Sequence, residues 1–167
     1  MVSVEKGLKE AFAGESQANR KYLAFAEKAD KEGFSQVAKL FRAAAAAETV
    51  HAHNHLRVLG GIKSTLENLN SAVEGEHYEF NSMYPEFIKA AQDEGNKEAE
   101  RTFNFANEVE KIHHKLYKKA LKKVESGKDL KEQDIHICPV CGYTHNGDLP
   151  DKCPVCGAAK KIFKKIE

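Results

Sequence analysis

A Glu-x-x-His pattern occurs twice in this chain, as Glu48-Thr49-Val50-His51 and as Glu110-Lys111-Ile112-His113. Both copies lie in stretches rich in Ala, Leu, Glu and Lys, which are residues that favour helices. On a helix, side chains three residues apart share a face one turn from each other, so each copy places a carboxylate beside an imidazole. One copy alone would be weak evidence, because chance supplies many, but two copies restrict the folds that the chain can adopt.

The spacing of apolar residues predicts four helices, each with its own start or stop signal. Gly33 ends the first helix, and Ser35 is the expected N-cap of the second. Ser64 and Glu67 form an S-x-x-E capping box at the start of the third helix. The predicted helices run from about residue 4 to 31, from 35 to the Gly60-Gly61 pair, from 64 to 95, and from about 96 to 126.

Carboxylates and imidazoles interrupt the apolar faces of all four predicted helices. Any one of them could be a solvated side chain at the edge of a bundle, but burying them all without compensation would cost several kcal/mol each. Two divalent cations would supply that compensation, and a carboxylate-rich set with two imidazoles suits iron or manganese. The pattern is typical of the dinuclear site of ferritin-like four-helix bundles. The candidate ligands are Glu15, Glu48, His51, Glu76, Glu79, Glu110 and His113.

The two halves of the helical region resemble each other with a small offset. Glu48 and Glu110 are 62 positions apart (110 − 48), whereas Glu15 and Glu76 are 61 apart (76 − 15). The third helix therefore carries one additional residue, and we expect a π-bulge or a kink to absorb it upstream of Pro85.

Glu79 has no acidic counterpart in the first half, where Gln17 or Ala18 occupies the matching position. The second half thus supplies an extra carboxylate. We expect the metal site to be asymmetric.

The C-terminal segment contains two C-P-x-C-G knuckles, Cys138–Cys141 and Cys153–Cys156. Four thiolates on two tight turns predict a tetrahedral S4 site for zinc or a single iron. A zinc staple that stabilises a region too small to fold alone is one interpretation. The Tyr143 that follows the first knuckle and the carboxylate site elsewhere in the chain favour iron.

Composition excludes several classes of function. The formal net charge is only +1 although 31% of residues are charged, which argues against binding to nucleic acids or anionic membranes. No apolar run approaches the length of a membrane span, and the N-terminus has no apolar signal-peptide core. All four cysteines belong to the knuckles, which favours metal binding in a reducing compartment. We expect a cytoplasmic protein.

The segments AFAGESQANRKY, EGEHYEFNSMYPEF and EKIHHKLY, together with the cysteine tail, resemble the rubrerythrin family. The resemblance covers nearly the whole chain. It implies an all-α, ferritin-like four-helix bundle followed by a small rubredoxin-like knuckle domain with short β-strands. The expected division is a di-iron bundle over residues 1–127, a linker over 128–136, and an FeS4 domain over 137–167.

The resemblance also implies roles for the individual ligands of an oxo- and carboxylate-bridged di-iron centre. Glu48 and Glu110 would bridge the two irons. Glu15 would bind one iron terminally, whereas Glu76 and His113 would bind the other.

Two further pairs of residues take roles from the resemblance. Glu79 and His51 would be alternative ligands to the iron bound by Glu15, the first when it is oxidised and the second when it is reduced. A ferric centre favours the harder anionic ligand, which agrees with this exchange. Tyr22 and Tyr84 would hydrogen-bond to the ligand carboxylates, although a tyrosine packed in the core explains either position equally well from the sequence.

The implied activity is that of a peroxidase that reduces hydrogen peroxide to water and protects against oxidative stress. Its electrons would come from a rubredoxin or an NAD(P)H-dependent reductase through the FeS4 centre. A short linker is not expected to fold that centre onto the bundle of its own subunit, so the resemblance implies a homodimer, either head-to-tail or with helices swapped through Gly60-Gly61. Two alternatives remain: a ferritin-like protein that oxidises and handles iron, and a helical interaction module with a zinc staple.

Overall fold

A computed structural model describes residues 2–167, and its helices follow the predicted ones closely. Two compact units divide the chain, one up to Lys63 and one from Ser64 to Glu167. Within the described residues no helix combines the length and the apolar character that a bilayer-spanning segment requires. The helices are α1 (Val4–Lys31), α2 (Ser35–Val58), α3 (Thr65–Tyr78), α4 (Tyr84–Asp93) and α5 (Lys97–Glu125).

The unit that ends at Lys63 is a hairpin of α1 and α2. Gly33 joins the two helices with φ of +86°, a left-handed conformation that glycine adopts without a steric penalty. Ala26, Ala29 and Ala38 are buried between the helices, with Phe41 packed against them. Because these buried residues are small, the two helix backbones can approach closely and hold their side chains in a fixed register.

The two predicted N-caps have different outcomes. Ser64 accepts a hydrogen bond from the backbone N–H of Glu67 (3.3 Å), and the Glu67 carboxylate accepts one from the Ser64 N–H (3.2 Å), so the capping box is confirmed. The prediction for Ser35 is wrong, because Ser35 is already helical and Phe34 occupies the N-cap position without a side-chain bond. The Phe34 N–H bonds to the Ala29 carbonyl and closes the preceding turn, which fixes where α2 begins.

The third predicted helix is interrupted by a π-helical segment over Glu79–Met83. The backbone N–H of Tyr84 donates to the carbonyl of Glu79, five residues earlier, as in a π-turn. This segment absorbs the additional residue that the repeat offset predicted. Pro85 follows directly, near the start of α4, where its missing N–H is tolerated.

Aromatic rings pack α4 against α5 in the unit that begins at Ser64. The ring centroids of Phe87 and Phe103 are 5.6 Å apart, and those of Tyr84 and Phe103 are 6.4 Å apart. His114 on α5 donates from Nδ1 to the carbonyl of Val73 on α3 at 3.0 Å. Both α3 and α4 are therefore held along the same long helix, which carries Glu110 and His113.

A three-stranded antiparallel sheet lies at the C-terminus, in the order β2-β1-β3. Its strands are β1 (Ile135–Ile137), β2 (Thr144–Asn146) and β3 (Lys164–Ile166). We call residues 135–166, which hold these strands and the four cysteines, the knuckle region. Ile135 and His136 were predicted as linker but belong to β1, because the first knuckle turn needs a strand on each side to pair.

Candidate metal centres

Glu15, Glu48 and His51 form a first ligand group within the α1–α2 hairpin. One potential ligand atom from each of them lies within 4.8 Å of the others. His51 Nδ1 is 2.9 Å from Glu48 Oε2, as the one-turn spacing of Glu-x-x-His predicted. The Glu48 side chain is 18% exposed and that of His51 is 54% exposed, so the imidazole lies at the open side of this group.

Asn19, which the sequence analysis did not identify, fixes the helices beside the first ligand group. It is the buried polar residue of α1, and its Nδ2 donates to the Ala45 carbonyl at 2.7 Å and to Thr49 Oγ1 at 2.9 Å. Asn19 follows Glu15 by one turn, and Thr49 is next to Glu48. The signal that could have identified Asn19 from the sequence is its position as an amide on the otherwise apolar face of α1.

Glu76, Glu110 and His113 form a second ligand group between α3 and α5, again with ligand atoms within 4.8 Å. His113 Nδ1 is 2.7 Å from Glu110 Oε2 and 3.6 Å from Glu76 Oε1. The two glutamate side chains are each 16% exposed, and the imidazole is 27% exposed. The structure thus brings together three predicted ligands from two helices.

Burial, hydrogen bonds and neighbouring charges shift the pKa values in the second ligand group. Burial, followed by a hydrogen bond with Glu110 and its charge, raises the pKa of Glu76 to about 7. Burial alone would raise the pKa of Glu110 as well, but hydrogen bonds from His113 and Glu76 outweigh it and lower that pKa. The hydrogen bond to Glu110 raises the pKa of His113. Of the two carboxyl groups, Glu76 is thus the one whose neutral form is favoured.

Glu79, Tyr84 and Tyr117 surround the second ligand group. Burial and then the charge of Glu110 raise the pKa of Glu79, which places the extra carboxylate in the field of this group. Burial, followed by the charges of Glu110, Glu79 and Glu76, raises the pKa of Tyr84. Burial, followed by the charges of Glu76 and Glu110, raises the pKa of Tyr117. Tyr117 was missed by the sequence analysis, although it follows His113 by one helical turn.

Tyr22 belongs to an aromatic cluster in the α1–α2 hairpin. Its ring centroid is 6.1 Å from that of Phe41 and 6.3 Å from that of Phe25. The ring packing accounts for the position of Tyr22 on the apolar stripe of α1.

The second ligand group fits a cation on its own evidence. Glu76 Oε2 is buried and has no hydrogen-bond partner among the described residues. An unpaired carboxylate oxygen inside a cluster of acids is costly. A divalent cation would satisfy that oxygen, displace any proton held by Glu76 and neutralise the crowded charge. Carboxylates with an imidazole are donors that iron accepts.

The four cysteines converge in the knuckle region as free thiols whose sulfurs lie within 4.8 Å of one another. Cys138 Sγ is 3.6 Å from Cys156 Sγ, and Cys141 Sγ is 3.5 Å from Cys153 Sγ. Metal–sulfur bonds of about 2.3 Å in a tetrahedron place sulfurs about 3.8 Å apart. The cage therefore has the size of an S4 metal site.

The knuckle turns aim backbone N–H groups at the sulfurs. Burial would raise the pKa of the Cys138 thiol, but the N–H groups of Val140 and Cys141 outweigh it and lower that pKa. Gly142, with φ of +84°, closes the first turn by donating to the Cys138 carbonyl at 2.9 Å. Hydrogen bonds from backbone N–H groups to a cysteine sulfur favour the thiolate form that binds a metal.

Helices that carry Glu-x-x-His motifs, followed by a knuckle region with four converging cysteines, define a ferritin-like metalloprotein with a rubredoxin-like site. The family model described as Rubrerythrin matches residues 6–121, and the model of the rubredoxin-like domain of rubrerythrin matches residues 136–164. The chain belongs to the rubrerythrin family. It is an oxidoreductase whose cofactors are a di-iron site and a rubredoxin-like iron site.

Relatives of this chain resemble it over most of their length. Rubrerythrin-2 of Clostridium acetobutylicum is 37% identical, with 94% of this chain and 93% of that protein covered. Nigerythrin of Nitratidesulfovibrio vulgaris is 38% identical, with 96% and 85% covered. A structure of fully reduced, all-ferrous nigerythrin matches with a TM-score of 0.59 at 36% identity, covering 99% of this chain and 88% of that one. The family and fold class predicted from the sequence are thereby confirmed.

Proposed function

We propose that this protein is a peroxidase that protects against oxidative stress. One hydrogen peroxide molecule, two electrons and two protons give two water molecules. The observation that carries the proposal is that one chain holds a four-cysteine cage and carboxylate–histidine groups, with the knuckle region packed on α5, the helix of Glu110 and His113. A ferritin-like protein that only oxidises and handles iron has no need of a four-cysteine site for electron transfer.

The proposed ligand roles follow the family resemblance. Glu48 and Glu110 would bridge two irons, Glu15 would bind one of them, and Glu76 with His113 would bind the other. When bound, the two irons supply two electrons to peroxide and polarise its O–O bond. The protein residues would hold the metals, and metal binding would displace any proton held by Glu76.

Glu79 and His51 are proposed to alternate as ligands when the iron changes charge. Two properties support this exchange. Glu79 lies in the electrostatic field of Glu110 and His113, so it is near enough to respond to their ligation. The exposed imidazole of His51 has room to move.

The proposed electron donor is a rubredoxin or an NAD(P)H-dependent reductase, in the cytoplasm, and the proposed assembly is a homodimer. Leu40 and Val58 on α2 leave 68% and 71% of their surface exposed, which offers apolar area to a second copy. A head-to-tail arrangement or a swap of helices through Gly60-Gly61 would use it. A solution mass that shows only monomer would contradict this part of the proposal.

A single-turnover experiment tests the activity. The iron-loaded protein is reduced fully without oxygen, one equivalent of hydrogen peroxide is added, and the visible absorption of the cysteine-bound iron is followed. We expect rapid return of the colour. Slow return, or return only with dioxygen, would favour an iron-oxidising role, and a colourless protein before reduction would indicate zinc in the knuckles.

Variants connect that activity to the ligand groups. Glu48→Ala combined with Glu110→Ala should lose bound iron and peroxide turnover, because both bridges are removed. Glu86→Ala, which changes an exposed glutamate on α4, is the matched control and should keep both. Unchanged turnover in the double variant would refute the peroxidase assignment.

A further inference from the structure

A cavity of about 330 Å³ lies between the helices and the knuckle region in the unit that begins at Ser64. The knuckle region packs on α5 of its own chain, where Thr144 Oγ1 is 2.8 Å from His113 Nε2. This packing differs from the expectation that a short linker does not fold the knuckles onto the helices of their own subunit. It leaves the cavity beside the contact.

The walls of the cavity are mostly apolar and come from α3, from α5 and from the chain that leads into β1. The apolar lining residues are Leu69, Leu116, Ala120, Leu130 and Ile135. Ile135 leaves 37% of its surface exposed, so part of this apolar lining is open to solvent. Small-molecule sites are concave and apolar and start at about 300 Å³. The cavity therefore has the size and the lining of a ligand site.

Lys119 lines the same cavity and brings a positive charge to it. Four more lysines share its face of α5 and line the neighbouring surface pocket with it, namely Lys115, Lys118, Lys122 and Lys123. None of the five forms an ion pair within residues 2–167. Like charges without counter-ions attract anions. One side of the apolar cavity is thus a surface that favours a negative charge.

Few other polar groups interrupt the apolar lining. His113 and Thr144 bond to each other, and the Thr144 hydroxyl also donates to the Gly142 carbonyl at 3.2 Å. The side-chain amide of Asn146, which also lines the cavity, makes no hydrogen bond within the described part of the chain. A matching ligand therefore has an apolar body and a single charged head.

We propose that this cavity binds a medium-chain aliphatic carboxylate, with the alkyl chain against the apolar walls and the carboxylate paired with Lys119. A compact inorganic anion would leave the apolar walls in contact with water, and a neutral hydrocarbon would leave the ammonium of Lys119 without a partner. The site is one of binding, in which no bond forms or breaks. It does not depend on the proposed peroxidase activity.

A bound chain would touch both the helices and the knuckle region. Leu116 and Ala120 belong to α5, whereas Ile135 and Asn146 belong to β1 and β2. A ligand that binds only when these parts are packed together stabilises that packing. The carboxylate would therefore hold the knuckle region on α5.

A chain-length series tests the apolar part of the site. Hexanoate, octanoate and decanoate are titrated below their micelle concentrations into the metal-loaded, full-length protein, and binding is measured by calorimetry. We expect binding to strengthen about fourfold for each buried methylene. Octanol, which lacks the charge, should bind about two- to fivefold more weakly than octanoate. Affinity that does not depend on chain length, or no binding of decanoate, would overturn the site.

Three variants test the lining. Lys119→Gln should weaken octanoate about two- to fivefold and leave octanol unchanged. Lys21→Gln is the matched control, because Lys21 is an exposed lysine of α1 without an ion pair in the described residues, and it should bind octanoate as the wild type does. Ala120→Phe fills the cavity and should abolish decanoate binding. Unchanged octanoate affinity in Lys119→Gln would overturn the proposed ion pair, even if Ala120→Phe fails to fold.

Amide exchange locates the ligand. Decanoate should slow exchange in β2 and in the turn of α5 around Lys119, and should leave α1 unchanged. Protection elsewhere in the chain would overturn the assignment to this cavity. Vesicles of phosphatidylglycerol and phosphatidylcholine separate a free carboxylate from a lipid surface. We expect no sedimentation of the protein with them, and sedimentation without binding of free decanoate would assign the lysines to a membrane instead.

Discussion

Asn19 on α1 and Thr49 on α2 are thirty residues apart in sequence, yet the Asn19 amide donates to the Thr49 hydroxyl at 2.9 Å. The same amide bonds to the Ala45 carbonyl, so both of its hydrogens are used. The bond joins the turn after Glu15 to the residue beside Glu48. This amide–hydroxyl pair therefore fixes the positions of Glu15 and Glu48 along their helices relative to each other.

Asn19→Leu should destabilise the metal-free protein. The substitution keeps the volume but removes both hydrogen bonds from a buried site, which typically costs about 1–3 kcal/mol. Chemical denaturation followed by circular dichroism measures the loss. Asn104→Leu is the matched control, because Asn104 makes a local bond to the Glu100 carbonyl on an exposed face. Equal losses in the two variants would show that the inter-helix bond contributes nothing specific.

Two serines at helix starts should differ in their contributions to stability. Ser64→Ala removes the capping box and should lower the free energy of unfolding by about 1 kcal/mol. Ser35→Ala should change it by only a few tenths of a kcal/mol, because Ser35 caps nothing. Thermal unfolding of both variants under identical conditions compares them. A larger loss in Ser35→Ala would contradict the assigned helix start.

The stability of the metal-free protein should fall as pH rises from 4.5 to 7. The pKa of Glu76 is about 7 in the folded protein against an ordinary value of 4.5, so over this range the folded state holds a proton that the unfolded chain has released. The raised pKa of His113 acts in the same direction, since its contribution is lost as pH rises through the folded value.

Glu76→Gln tests that pH dependence. The variant should lose about 1 kcal/mol of the change in unfolding free energy across this range, less than a fully buried group because solvent still reaches the site. Glu86→Gln, on an exposed position of α4, should retain the wild-type slope. Parallel curves for wild type and Glu76→Gln would show that Glu76 does not hold the proton.

Removing the metal from the knuckle region should unfold it and leave the helices intact. Cys138 and Cys153 are its buried side chains within the described residues, so little apolar core remains without a metal. A structural zinc contributes about 10–16 kcal/mol in peptides of this kind. Amide exchange should show loss of protection in β1–β3 after chelation, and zinc should restore it as well as iron does. Strands that stay protected in the metal-free protein would contradict this account.

Local signals in the sequence were sufficient for most of the fold. The Ser64 capping box and the π segment at Glu79–Met83 were both predicted, because the first depends on two side chains and the second on a count of residues. The start of α2 was not, since the turn at Gly33 and Phe34 overrides the preference of Ser35. The early start of β1 depends on pairing with β2 across the first knuckle and with the more distant β3, and the polar residues before it carry no strand signal.

The convergence of predicted ligands within each group could be anticipated from the sequence, whereas the polar contacts beside them could not. Glu-x-x-His fixes its own geometry through the helical repeat, and the observed Glu–His contacts agree. Asn19 bonds across a tertiary contact, and a lone amide gives no spacing signal. Nor did the sequence show that β2 would pack against α5, because the composition of a polar linker does not determine where the following segment packs.

The π segment at Glu79–Met83 also bears on how this chain arose. The two helix pairs repeat their ligands at a spacing of 61 before this segment and 62 after it, and one extra residue accounts for the difference. That is the trace that duplication of an ancestral helical hairpin, followed by insertion of a single codon in the second copy, would leave. The copy with the insertion is also the copy in which Glu79 stands where the other has Gln17 or Ala18. The repeat is therefore broken in backbone geometry and in charge within a single segment of the chain.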